Sequence, residues 1–97
     1  MNRNYIFDFA RKFRSNLLAL DILEYLVDHN GEYGGTYSDL AERIRGNKKL
    51  ASNVRHAVMW LMDNGFVYTE TWSHTHGTYI SVDENWMNGV YNNAKQI

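Results

Sequence analysis

From Leu17 to Val27 the chain is apolar on nearly every side of a helix, and only Asp21, Glu24 and Asp28 interrupt it, all on one stripe. Such a helix has to be covered on most sides by other parts of the chain. The remaining sequence must therefore supply a shell for it, and 97 residues are enough for one domain, 1–97, and not for two. Ser15 reads as the N-cap, because its hydroxyl can accept from an orphan N–H of the first turn. Asn30-Gly31 reads as the stop, because glycine accepts the left-handed conformation that follows a helix. The spacing predicts this helix over Ser15 to His29.

The shell is legible segment by segment. Upstream, Tyr5, Ile6, Phe9, Ala10 and Phe13 recur at threes and fours, which predicts a short amphipathic helix over about 4–14. Downstream, GEYGGTY is a turn with room for a very short strand at most. Thr36 opens a second core helix, with Thr36 and Asp39 at capping-box spacing and Leu40, Ala41 and Ile44 facing inward. Gly46-Asn47 ends it. Lys48 to Asn64 reads as a third core helix, with Leu50, Val54, Ala57, Val58 and Leu61 on one face and Ser52, Asn53, Arg55, His56 and Asp63 elsewhere. After Asn64-Gly65 the composition switches: FVYTETW and TYISV are rich in β-branched and aromatic residues, and SHTHG between them predicts a hairpin loop of four or five residues. Trp86, Met87, Val90, Tyr91 and Ala94 then predict a C-terminal helix over about 84–97, weakened by Gly89. The expected class is α+β and mainly helical: a three-helix core over about 15–82, a two-stranded hairpin, and two flanking helices.

Composition excludes several function classes. Hydrophobic residues are 44% and aromatics 14% of the chain, enough for a packed core and against global disorder. There is no cysteine, hence no disulfide framework and no thiolate metal site. No apolar run reaches the ~20 residues of a membrane span, and MNRNYIFDFARKFR has no apolar signal-peptide core, so a cytoplasmic protein without a membrane partner is expected. There is no P-loop, no G-x-S-x-G and no recognisable triad spacing, so no enzyme and no cofactor are expected. His74 and His76 form an H-x-H pair, but no third ligand is evident, and a polar hairpin tip is preferred to a metal site.

Charge is more informative in its distribution than in its sum. The formal net charge is −1. Yet Arg43, Arg45, Lys48, Lys49 and Arg55 follow one another with no acid between Arg43 and His56, and Arg11, Lys12 and Arg14 form a second cluster. A near-neutral protein with one basic face is compatible with a polyanionic partner, and equally with ordinary solvated charge.

The stretch TYSDLAERIRGNKKLASNVRHAVMWLMDNGFVYTE, set in the order helix, turn, helix, short turn, helix, hairpin, resembles the winged helix-turn-helix family. Leu40-Ala41, Val54, Val58, Leu61 and Asn64-Gly65-Phe66-Val67 carry the resemblance. It implies double-stranded DNA as partner and a small transcriptional regulator as function, with the third helix in the major groove and the hairpin as a wing on the backbone or minor groove. On that reading Arg43, Arg45, Lys48 and Lys49 dock on phosphates, Ser52, Asn53, Arg55 and His56 face the bases or the backbone, and His74, Thr75 and His76 form the wing tip. The segment Gly46 to Leu50 lacks the usual Ser/Thr cap, and the tip carries no Arg or Lys. An adaptor that binds protein, including a mobile-element protein acting on host machinery, and a replication or recombination accessory are the rival readings. The excess of large aromatics (Trp60, Trp72, Trp86, Tyr91) favours a homodimer through the flanks, at Tyr5, Phe9, Phe13, Trp86, Val90 and Tyr91, with two recognition helices about 34 Å apart.

Overall fold

The first core helix starts one residue later than its sequence indicates. The computed structural model of the protein describes Phe13, residues 16–73 and residues 77–86. Within it Asn16, not Ser15, is the N-cap: its side-chain oxygen accepts from the Ala19 amide at 3.1 Å. Helix α1 runs Leu17–Asp28 and buries Ala19, Leu20, Ile22, Leu23, Leu26 and Val27. Leu17 is the exception to the expected burial and is 63% exposed. The helix stops where Asn30 and Gly31 take positive φ and the Gly31 amide turns back to the Leu26 carbonyl.

The glycine-rich turn that follows is a strand. Strand β1, Glu32–Gly35, is followed at once by helix α2, Tyr37–Arg45, whose N-cap Thr36 accepts from the Asp39 amide at 3.1 Å. Gly46, at φ 68°, closes α2 in the left-handed conformation that a side chain would disfavour. A 3₁₀ turn, Lys48–Leu50, precedes helix α3, Ala51–Asp63, so the expected single helix from Lys48 is split. Asn47 caps that turn through its side chain, accepting from the Lys49 amide at 3.0 Å, and this is the cap that a search for Ser or Thr misses. Strands β2, Val67–Ser73, and β3, Gly77–Val82, follow.

The fold is a small α+β unit, mostly helical, with a three-stranded antiparallel sheet in the order β1–β3–β2. The expected two-stranded hairpin gains β1 as a third strand, paired Tyr33 to Ile80 and Gly35 to Thr78. The hairpin register runs from Val67 opposite Val82 to Ser73 opposite Gly77, with an irregularity between Thr71 and Ser73. Its connection is therefore shorter than expected, three residues between paired Ser73 and Gly77. Along β3, Thr78, Ile80 and Val82 point inward, and Tyr33 and Val67 join them from the neighbouring strands. This face closes the core against Leu23, Leu26, Leu40, Val54, Val58 and Leu61. Each fully buried aliphatic side chain contributes about 1.5–3 kcal/mol relative to exposure.

Phe13 requires a correction to the sequence reading. It is fully buried within a single chain, with its ring 5.2 Å from Trp60 and 5.4 Å from Phe66, so it is not available to a dimer interface. Trp86 also turns inward: it packs edge-on to Phe66 at 5.7 Å and is half-buried. Aromatic rings that looked superfluous in the sequence thus build a cluster around Phe66. Tyr5, Phe9, Val90 and Tyr91, and most of both expected flanking helices, lie outside the described residues. No helix among the described residues is long and apolar enough to cross a membrane.

Candidate nucleic-acid interface

Helix α3 is two-faced because its apolar residues recur at threes and fours. Val54, Ala57, Val58 and Leu61 are buried against α1, α2 and the sheet. The opposite side then has to be exposed, and it carries Ser52, Asn53, Arg55, His56 and Met59. Ser52, His56 and Met59 follow the helical period and share one row, with Asn53 and Arg55 flanking it. No carboxylate interrupts this face until Asp63, at the last turn. Met59 is 42% exposed and was not singled out in the sequence, although its position seven residues after Ser52 puts it on the same row.

The expected phosphate-docking residues divide into two sets. Arg45 is engaged: its Nη2 lies 2.6 Å from Asp21 Oδ2, which ties the end of α2 to α1. Arg43 donates through Nη1 to the Tyr25 hydroxyl at 2.9 Å, and its guanidinium lies over the Tyr33 ring at 5.6 Å. That hydrogen bond, before any longer-range charge, pushes the Arg43 pKa above its ordinary value. Lys48 Nζ lies 3.4 Å from Glu42 Oε2 and 3.9 Å from Asp39 Oδ1. Lys49 and Arg55 are exposed and make no ion pair among the described residues. The acid-free run in the sequence is thus partly neutralised in space by acids of α1 and α2.

The outer face of the sheet has the opposite character. The alternation that sends Ile80 and Val82 inward sends Tyr79 and Ser81 outward, beside Glu32 of β1 and Tyr68 and Glu70 of β2. The Tyr79 hydroxyl donates to Glu32, and the Tyr68 hydroxyl donates to Asp83 Oδ1 at 3.1 Å. Each of these hydrogen bonds raises the pKa of its phenol, since losing the proton would place two anions together. Tyr68, Tyr79, Asp83 and Glu84 line an open groove of about 820 Å³ there, with Glu32 on its wall. Inside the sheet, burial raises the pKa of Tyr33, whose hydroxyl donates to the Thr36 carbonyl at 2.9 Å.

Position 77 fixes how the hairpin meets α2. Gly77 has φ 86°, and a Cβ there would collide with the Gly35 carbonyl and come within 2.8 Å of the Thr36 amide nitrogen. The hairpin is thereby pinned against the start of α2. His74, Thr75 and His76 lie outside the described residues. Among the described residues no group of three or more His, Cys, Asp or Glu side chains is placed to hold a metal ion. Comparison of the chain with protein-family models, with curated proteins and with solved structures finds no match.

Proposed function

We propose that the protein is a winged-helix module that binds double-stranded DNA with α3 as its recognition helix, and that it serves as a small transcriptional regulator. The carrying observation is the outer face of α3, where Ser52, Asn53, Arg55 and His56 stand together without a carboxylate, with exposed Lys49 on the turn that leads into the helix. Arg and Lys neutralise phosphates and bind guanine edges, and Asn pairs with adenine in two hydrogen bonds. The element order α1–β1–α2–α3–β2–β3 and the sheet order β1–β3–β2 support the winged arrangement. With β2 continuing directly from α3 through Gly65, the hairpin stands beside the helix that enters the groove.

The test is a titration of random-sequence duplex DNA by the full chain across 50–200 mM salt, followed by selection of preferred sequences. Affinity that falls log-linearly with salt supports the reading, and absence of binding at 50 mM overturns it. A homodimer belongs to the same proposal, with Tyr5, Phe9, Val90 and Tyr91 as the contacts left after Phe13 and most of Trp86 are assigned to the core. A mass that stays near 11.4 kDa in light scattering at high concentration would remove it.

A second reading is favoured by a specific observation. The sheet's outer face gathers Glu32, Asp83, Glu84, Tyr68 and Tyr79 around an open groove, a surface that repels DNA and suits a basic protein segment. On the adaptor reading this face, rather than α3, holds the partner. Charge reversal at Glu32 that abolishes partner capture, with DNA binding absent throughout, would select the adaptor.

A further inference from the structure

Only two cations of the basic run, Lys49 and Arg55, are free of a partner among the described residues; carboxylates of the same chain already occupy Arg45 and Lys48. The two occupied sites differ. Arg45 and Asp21 are each about one-third exposed, and their contact joins two helices. Lys48 and Glu42 are more than half exposed, and their contact lies at the surface. Asp39, one turn before Glu42 on α2, also lies within reach of Lys48, at 3.9 Å. The N-terminal edge of the α3 face is therefore bordered by two fixed negative charges.

We propose that Asp39 and Glu42 act as internal counterions for Lys48, competing with DNA phosphate and so holding down sequence-independent binding at the α3 face. The proposal rests on the DNA reading of that face. Much of the sequence-independent affinity for DNA comes from cations that neutralise phosphates and release the counterions condensed on them. A lysine already neutralised by a tethered carboxylate offers less to a phosphate, and the carboxylate itself is not released into solution. A phosphate brought to Lys48 must also approach Glu42 and Asp39 against like charge. Base edges are uncharged and meet no such opposition at Ser52 and Asn53. The carboxylates thus penalise phosphate contact more than base contact, so base contacts carry a larger share of the affinity. Exposed ion pairs are weak, so the effect is a graded restraint.

The experiment compares the full-length wild type with Glu42→Gln, using random-sequence duplex DNA at several salt concentrations from 50 to 200 mM. Glu70→Gln is the control: it makes the same change in net charge on the sheet's outer face, away from Lys48. Melting curves of all three show that the fold is retained. Glu42→Gln is expected to steepen the salt slope by about 0.9, the contribution of one phosphate contact, so that it gains roughly threefold more affinity than wild type between 200 and 50 mM. Glu70→Gln is expected to leave the slope unchanged. Equal steepening in both variants would reduce the effect to net charge and overturn the proposal. An unchanged Glu42→Gln slope on a wild type that binds would overturn it while leaving the DNA reading intact. No salt-dependent binding by any of the three would overturn both together.

Discussion

The outer face of α3 and the outer face of the sheet are built on the same core and carry opposite chemistry. One presents Lys49, Arg55, His56 and two short polar groups; the other presents Glu32, Glu70, Asp83 and Glu84 with two phenols. Over the whole chain the formal charges sum to only −1. The difference teaches that net charge describes neither surface: within a Debye length of about 8 Å at physiological salt, a ligand experiences only the face it approaches. The run Arg43 to Arg55 adds a second lesson. Its cations are contiguous in sequence, yet three of the five are engaged by Asp21, Tyr25, Glu42 and Asp39.

The largest expected effect removes both faces at once. Leu61 is fully buried and locks α3 to the sheet. Leu61→Ala should lower stability by about 2–5 kcal/mol in denaturant unfolding, against roughly 5–15 kcal/mol for a whole domain. A wild-type midpoint would mean that the two faces do not share this scaffold. Gly77→Ala should act on the sheet side alone. The positive φ and the collision with Gly35 should cost about 1–3 kcal/mol, read as faster amide exchange in β1 and β3 while α3 keeps its protection. Equal loss of protection in α3 would show that the two regions open as one unit.

The next test separates the faces by ligand. Lys49→Ala with Arg55→Ala should weaken binding to random duplex DNA and flatten the salt slope by up to about 2, whereas Glu32→Gln with Glu70→Gln should not weaken it. A double alanine variant with unchanged slope would take α3 out of the contact. The smallest effect is in titration. Tyr68 and Tyr79 should ionise above the ordinary phenol value of about 10, because each donates to a carboxylate. Folded-state values raised in this way favour the fold below that pH, and the benefit is lost as pH rises through them. Absorbance titration of phenolate checks this: Glu32→Gln should bring one tyrosine back toward the ordinary value, and no change would break the assignment of that hydrogen bond.

Much of the fold was legible because its determinants are local. Thr36 with Asp39, Gly46, and the spacing of Val54, Ala57, Val58 and Leu61 each act within a turn or two of chain. Strand β1 was legible only as room for a very short strand, since Glu32-Tyr33-Gly34-Gly35 has little intrinsic strand preference and is held by backbone pairing to β3. The 3₁₀ break at Lys48–Leu50 turns on an asparagine doing a capping job expected of serine or threonine. For the candidate site, the exposed row of α3 followed from periodicity. The partners of Arg43, Arg45 and Lys48 did not. Asp21 is 24 positions from Arg45 and Tyr25 is 18 from Arg43, and only the packing of α1 on α2 brings them together. Phe13 was misassigned for the same reason, since an apolar helix face looks alike whether its own domain or a second subunit covers it.

The ring cluster around Phe66 has a consequence for the path of the chain. Phe13, before the first core helix, and Trp86, just after the last strand, both pack on that one ring. The two ends of the described core, Phe13 and Trp86, therefore lie close together. Units with adjacent entry and exit can be spliced into a surface loop of another protein, or cut open elsewhere and rejoined across the gap, with little disturbance to either part. In this chain the seam would run beside Phe66, which makes that ring the keystone of any such transplant.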